Sequence, residues 1–178
     1  MGQNIISDKS HIGKNVKLGS FNIIEENVTI EDDVEIGNYC HLRSGVIIKK
    51  NSRLMDYIEL RNNTTIGEDC YLDSKVSSSG NVIVNKNVTL RYDTILARGV
   101  EIGANTYVCP RVMTNNLNSG GVEIGGAKIG ENCFIGTNAV LQHGITIGKN
   151  VIIGALSFVR MDCEENSTYV GIPAKKIK

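Results

Sequence analysis

Residues 12–48 read IGKNVKLGSFNIIEENVTIEDDVEIGNYCHLRSGVII, and every sixth position in this stretch is Ile or Leu. The register begins at Ile12 and continues to Val108, seventeen hexads with Ser78 as the single exception. A second run in a shifted phase extends from Ile129 to Val159. Because a helix repeats every 3.6 residues and a strand every two, neither element alone selects each sixth residue.

Two further columns of the hexad predict its shape. The fourth residue after each aliphatic is small or β-branched in nearly every repeat, which predicts two inward side chains on a very short strand. The third residue after the aliphatic is Asn, Asp or Gly in 16 of the 22 hexads that begin at Ile12 through Ile153, and these residues tolerate a positive φ. We therefore expect a short strand and a sharp turn in each hexad. Three hexads per coil, stacked about 4.8 Å apart, would make a three-sided parallel β-solenoid of seven to eight coils.

Composition agrees with a narrow interior. The chain of 178 residues contains no Trp, three Phe and six Tyr, but 19 Gly. Stacked Ile, Leu and Val would fill such a prism without large aromatic side chains. Cys40, Cys70 and Cys133 fall in the small inward column, so we expect buried, inert thiols there.

Charge and cysteine usage narrow the classes of function. The 19 basic and 19 acidic residues give zero net charge, which argues against a nucleic-acid or membrane-surface partner bound by bulk electrostatics. Five cysteines without a CxxC pair argue against a zinc site or a disulfide framework, so we expect no metal. No apolar stretch is long enough for a secretory signal or a membrane span, and the expectation is a cytoplasmic protein.

The repeat, an aliphatic residue and often Gly followed by a turn residue and a small residue, resembles the hexapeptide-repeat family of acyltransferases over about residues 6–160. The resemblance implies an all-β fold, a left-handed parallel β-helix; the left hand comes from the family, since spacing alone does not define it. We expect a β-helix domain at 1–160 and a C-terminal tail at 161–178 that packs on the last coils.

The hexad register breaks near residues 113–128, a segment rich in Asn and Gly. Such a segment in an otherwise strict solenoid predicts an extruded loop, and loops on rigid scaffolds tend to carry function. In the transferases that the chain resembles, a loop at this point reaches over a neighbouring subunit and helps to form the active site. The resemblance also implies a homotrimer.

Acyl-CoA lies between neighbouring subunits in these transferases, with its adenine end near the last coils. The resemblance places the cofactor-binding positions at Gly136, Thr137 and Ala155, with Arg160 and Lys175 as cations for the phosphates. Residues 170–175, VGIPAK, resemble the closing element of sugar N-acetyltransferases. Arg160 and Met161 stand where the family usually has Thr and Lys, so the phosphate contacts differ from the usual set.

Two residues are candidates for the chemical step, which needs a proton acceptor and a donor for the developing oxyanion. His143 follows Leu141 by two residues, the place of a catalytic histidine in acyltransferases of the lipid A type. Asn115 resembles the Asn of transferases that acetylate amino groups on nucleotide-linked sugars, where it would orient the amine or donate to the thioester carbonyl. His11 and His41 are expected at the surface.

The favoured function is an acetyl-CoA-dependent acetyltransferase that acts on an amino group or hydroxyl of a sugar or nucleotide-linked sugar. A non-catalytic solenoid scaffold is the alternative. A protein like the γ-class carbonic anhydrases is a further one, but that class needs three zinc-bound histidines, two of them five residues apart, and the three histidines here are widely separated. The sequence leaves open the acceptor, N- or O-acylation, the acyl chain and the general base.

Overall fold

A computed structural model describes residues 2–178 and forms a three-sided parallel β-helix of the left-handed hexapeptide type, which confirms the expected fold class. Each short strand pairs with the strand one coil later, 18 residues along the chain in the first six coils. Three flat sheets result, and we name them faces A, B and C in the order in which the chain visits them. Every element in this part of the chain is a strand, so it offers no helix able to cross a membrane.

Face A comprises nine strands: β1 (Ile5–Ile6), β4 (Ile23–Ile24), β7 (His41–Leu42), β10 (Glu59–Leu60), β13 (Ser77–Ser78), β16 (Ile95–Leu96), β19 (Met113–Thr114), β22 (Val140–Leu141) and β25 (Phe158–Val159). Face B comprises eight: β2 (His11–Ile12), β5 (Thr29–Ile30), β8 (Ile47–Ile48), β11 (Thr65–Ile66), β14 (Ile83–Val84), β17 (Glu101–Ile102), β20 (Lys128–Ile129) and β23 (Thr146–Ile147). Face C comprises ten: β3 (Lys17–Leu18), β6 (Glu35–Ile36), β9 (Arg53–Leu54), β12 (Tyr71–Leu72), β15 (Thr89–Leu90), β18 (Tyr107–Val108), β21 (Phe134–Ile135), β24 (Ile152–Ile153), β26 (Thr168–Gly171) and β27 (Ala174–Lys176).

The aliphatic column of the sequence forms the core of the prism. From the second coil onward its members are almost completely buried, for example Leu60, Ile102 and Ile135. Ser78, the exception in the hexad register, also points inward, because its hydroxyl accepts a hydrogen bond from the Arg61 amide (3.1 Å) and lies 2.8 Å from the Thr64 hydroxyl. A polar pair therefore replaces one aliphatic side chain without leaving an unsatisfied group.

The chain forms about nine coils rather than the predicted seven to eight. The ninth coil is built by residues beyond the hexad pattern: Cys163 bridges to Ile147 on face B, and β26 pairs with β24 on face C. β27 then folds back antiparallel on β26 and covers the end of that sheet. Tyr169 is buried there and its hydroxyl accepts a hydrogen bond from the Glu164 amide.

Corners AB, BC and CA, named for the faces that they join, turn through a residue with positive φ in nearly every coil. At corner BC all of these residues are Asn or Asp, and their side chains form a ladder from coil to coil. The Asn87 amide donates to Asn105 Oδ1 (2.9 Å), and the Asn105 amide donates to Asn132 Oδ1 (3.1 Å). The sequence column of turn residues is therefore explained by both backbone conformation and side-chain pairing.

All five cysteines are free and buried, including the three predicted in the inward column. Burial raises the pKa of Cys40 to about 11 and that of Cys163 to about 12. Such thiols carry almost no thiolate at neutral pH and are poor nucleophiles.

The BC ladder predicts an ordered effect of substitution at Asn105. Asn105→Ala should lower the free energy of unfolding by about 1–2 kcal/mol. Ala is strained at the positive φ of this position, and it cannot form either of the two side-chain hydrogen bonds of the ladder. Asn105→Gly should cost less, because Gly adopts the same φ freely. Urea denaturation of both variants measures the difference, and equal losses for Ala and Gly would contradict the role assigned to φ.

Candidate active site

The extruded loop occupies residues 115–127, within the predicted 113–128, and leaves the prism at corner AB between β19 and β20. It is a closed hairpin rather than an open excursion. Leu117 and Glu123 form an antiparallel bridge, and Asn118 Oδ1 accepts hydrogen bonds from the amides of Gly120 (2.9 Å) and Val122 (3.0 Å). Asn and Gly in the loop therefore close its tip.

The base of the loop is held against corner AB of its own chain. The Gly144 amide donates to the Gly125 carbonyl (3.0 Å), and the Ile124 amide donates to the Asn116 carbonyl (2.8 Å). Gly144 has a φ of +64°, and a Cβ there would lie 2.9 Å from Ile124 Cγ2. The loop thus closes over the corner that carries His143, while Leu117, Val122 and Ile124 remain about half exposed.

His143 lies half-buried beside this loop base. Its Nε2 is 3.3 Å from Gln142 Nε2, an amide whose orientation decides which atom faces the ring. Its Nδ1 is shielded from solvent and has no hydrogen-bond partner among residues 2–178. The imidazole therefore retains an unused nitrogen at the corner.

Asn115 and Arg160, predicted for different roles, lie in one column of face A. The Asn115 amide donates to the Leu141 carbonyl and the Gln142 amide to the Val159 carbonyl, so Asn115, Gln142 and Arg160 follow one another over three coils. This column adjoins His143. The sequence analysis missed Gln142; its place directly before His143 and two residues before the turn residue Gly144 was the available signal.

Gly136, Thr137 and Ala155 lie together at corner CA, at the opposite edge of face A. Gly136 packs so closely on the next coil that a Cβ would stand 2.5 Å from the Ala155 amide nitrogen. Ala155 itself is exposed. The small residues therefore keep this part of the solenoid wall flat, as a ligand chain passing along it would require.

The two predicted cations lie at different corners of the solenoid. Lys175 lies on β27, opposite Val170 of β26, and is exposed at the end of face C near corner CA. Arg160 is exposed near corner AB and therefore does not share an edge with Gly136, Thr137 and Ala155 of the same chain. Between the corners run residues 138–143, about 16 Å of extended chain.

The other histidines lie far from this region. His11 is exposed on β2 in the first coil. His41 on β7 is only partly exposed and its Nε2 lies 2.8 Å from Glu25 Oε1. Among residues 2–178 no three His, Cys, Asp or Glu side chains converge as a metal site would require.

Comparisons with known proteins agree with the hexapeptide repeat and with the β-helix fold. The family described as bacterial transferase hexapeptide (six repeats) matches residues 9–49 and 126–160. The repeat and the fold define a three-sided parallel solenoid of hexapeptides. This family match and the fold confirm the resemblance to hexapeptide-repeat proteins noted in the sequence.

Curated relatives include the bifunctional protein GlmU of Thermosipho africanus, 31% identical over 162 residues, which covers 91% of this chain and 31% of that protein. GlmU of Thermotoga maritima is 31% identical over 167 residues, 94% of this chain and 32% of that protein. The chain thus spans about a third of the length of these relatives.

Two solved structures share the fold. A UDP-N-acetylglucosamine acyltransferase superposes with a TM-score of 0.86 at 21% identity, covering 97% of this chain and 70% of that one. The polySia specific acetyltransferase NeuO gives 0.55 at 19% identity, covering 100% and 85%.

The contact between loop and corner predicts a local effect of Gly144→Ala. The new methyl group would push Ile124 away, so limited proteolysis should cleave residues 115–127 faster than in the wild type. Gly45→Ala is the matched control, because Gly45 also has a positive φ at corner AB but lies several coils from the loop. Equal cleavage of the loop in both variants would contradict the contact.

Proposed function

We propose that the protein is an acyltransferase that moves the acyl group of an acyl-CoA, in the simplest case acetyl-CoA, to an amino group or hydroxyl of a sugar or nucleotide-linked sugar. The proposal includes a homotrimer and a cytoplasmic location. It is supported by the names of the structural neighbours, a UDP-N-acetylglucosamine acyltransferase and a polysialic-acid acetyltransferase. Five free cysteines are in keeping with a reducing compartment.

The observation that carries the proposal is the contact of the loop base with the corner that carries His143, whose Nδ1 has no hydrogen-bond partner among residues 2–178. Because Nδ1 is shielded from solvent, Nε2, beside Gln142, is the ring nitrogen that would accept a proton from an approaching hydroxyl or amino group. We assign His143 as the general base and the Asn115 amide as the donor to the thioester oxygen.

With these roles, His143 both accepts and returns the one proton that the acyl transfer moves. The acceptor nitrogen or oxygen attacks the thioester carbonyl carbon, forms the new amide or ester bond and transfers its proton to His143. The carbon–sulfur bond breaks, and the proton returns from His143 to the CoA sulfur.

The acyl-CoA would lie along corner CA. Gly136, Thr137 and Ala155 give a flat wall there, and Lys175 supplies a cation at the end of face C for the phosphates. Arg160 would contact a phosphate only across a boundary between copies, because on its own chain it lies near corner AB.

A complete site on this scheme needs two copies of the chain. The thioester at corner CA and the imidazole at corner AB are about 16 Å apart on one chain, far beyond hydrogen-bond reach. A neighbouring copy that brings its corner AB to corner CA joins them, and the half-exposed apolar side chains of the loop fit such a contact.

The role of His143 predicts that His143→Ala slows CoA release at least about a hundredfold with little change in CoA affinity. The measurement is a thiol-release assay over a panel of amino sugars, nucleotide sugars and simple acceptors, with calorimetry for CoA. His11→Ala, at an exposed position in the first coil, is the control and should match the wild type. An unchanged rate for His143→Ala would remove its role, and a wild-type chain that neither binds CoA nor releases it would favour a non-catalytic scaffold.

The path along corner CA predicts that Ala155→Phe weakens acyl-CoA binding about tenfold or more, since an exposed aromatic ring would occupy the wall. Its melting temperature should stay close to that of the wild type because Ala155 is exposed. Ser74→Phe places the same ring in the same corner column four coils earlier and serves as the control. Equal CoA affinity for Ala155→Phe and the wild type would contradict this path.

A further inference from the structure

Corner CA breaks the turn rule that the other two corners obey. Six of the 22 hexad turn positions are neither Asn, Asp nor Gly, and all six lie at this corner with positive φ. They are Phe21, Tyr39, Tyr57, Lys75, Arg111 and Leu156. Residues other than Gly, Asn and Asp rarely adopt a positive φ. The turn itself therefore does not explain why large residues occupy this one corner.

The first three exceptions form an aromatic ladder, defined as Phe21, Tyr39 and Tyr57. The Phe21 and Tyr39 ring centroids are 4.9 Å apart, those of Tyr39 and Tyr57 are 5.0 Å apart, and the rings are nearly parallel. Each side chain remains about half exposed, 50%, 48% and 56% respectively. The ladder thus leaves a strip of ring edges in solvent along two coils.

The stacking decides what this strip could bind. Sugars stack on the open face of an aromatic ring, but here the rings cover one another and Gly2 lies against Phe21. The ladder therefore presents its ring edges and tyrosine hydroxyls, with the outer face of Tyr57 as the one ring face not covered by another ring of the ladder or by Gly2. A flat strip of edges along the solenoid axis fits the wall of another solenoid better than a small ligand.

We infer that the aromatic ladder packs against corner AB of a second copy of this chain, in the part that carries Arg43 and Arg61. The inference rests on the two-copy site of the proposed function. Copies related by rotation about an axis parallel to the solenoid keep equal heights. If corner CA of one copy meets corner AB of the next at the height of Gly136 and His143, the same corners also meet at the height of the aromatic ladder.

Corner AB carries two guanidinium groups at the height of the aromatic ladder along the solenoid axis. Arg43 and Arg61 both contact Glu59 Oε1, at 3.3 and 3.2 Å, and both remain partly exposed. Arg43 Nε is shielded from solvent but has no hydrogen-bond partner among residues 2–178. The exposed guanidinium N–H groups of Arg43 and Arg61 can donate hydrogen bonds to the Tyr39 and Tyr57 hydroxyls at the edge of the ladder.

Cysteine cross-linking tests the contact directly. The double variant Tyr39→Cys/Ser44→Cys places one thiol at corner CA and one at corner AB of the same coil. Within one chain these positions are five residues of extended strand apart, about 16 Å, so they cannot form a disulfide. Mild oxidation should therefore yield covalent oligomers on a non-reducing gel, and the five native cysteines, all buried, should contribute little background.

The controls separate the other arrangements. Tyr39→Cys alone would cross-link only if corner CA meets itself, and Tyr39→Cys/Asn51→Cys only if it meets corner BC; either result would overturn the inference. Absence of cross-links in the first double variant would overturn it as well. Thiol release by the wild-type protein is measured separately, so loss of the proposed function and loss of this contact give different results.

A second variant tests the ladder without new thiols. Tyr39→Asn/Tyr57→Asn introduces residues that suit the positive φ, so the coil should remain folded. Sedimentation should show self-association about tenfold or more weaker than in the wild type. Ile83→Asn, at an exposed apolar site on face B, should leave self-association unchanged. Association of the ladder variant equal to that of the wild type would exclude the ladder from the interface.

Discussion

Backbone pairing between successive coils fixes almost everything else in this protein. Because each strand pairs in register with the strand one coil later, every residue stacks on its counterpart, and a side is closed every six residues. A turn in that space needs a positive φ, which selects Asn, Asp and Gly. The same stacking lines up Asn side chains at corner BC and rings at corner CA. The loop leaves at corner AB, where the Ala97 amide donates to the Thr114 hydroxyl instead of a backbone carbonyl, but β17 and β20 still pair in full beyond it.

The hexad columns were sufficient to predict the fold, the core and the place of the loop, because each depends on a periodicity visible along the chain. Neighbours across coils were harder to predict. Arg160 lies in the column of Asn115 rather than beside Gly136, since the side to which a residue belongs depends on its position in the coil and not on its distance in sequence. The ninth coil escaped prediction because Cys163 and β26 pair without the hexad pattern. Gln142 gave no motif and stands out only once His143 is placed.

The three corners differ in what they can do. Corner BC is a uniform ladder of Asn and Asp that stabilises the prism. Corner AB holds the loop, His143 and the column of Asn115, whereas corner CA holds the flat wall at Gly136 and Ala155 and the aromatic ladder. Within one copy, corners AB and CA do not meet, because face A lies between them. The proposed site between two copies would account for a histidine with an unpartnered nitrogen at one edge of the chain and a small-residue wall at the other.

Mixing two impaired variants, assayed at an acyl-CoA concentration too low to saturate Ala155→Phe, tests this account most directly. His143→Ala and Ala155→Phe each damage one half of the proposed site, so an oligomer reassembled from both contains interfaces with two intact halves. Unfolding and refolding an equal mixture should restore about a quarter of the wild-type rate of CoA release, the share of interfaces that combine two intact halves. A rate no higher than the sum of the separate variants would contradict a site built between copies.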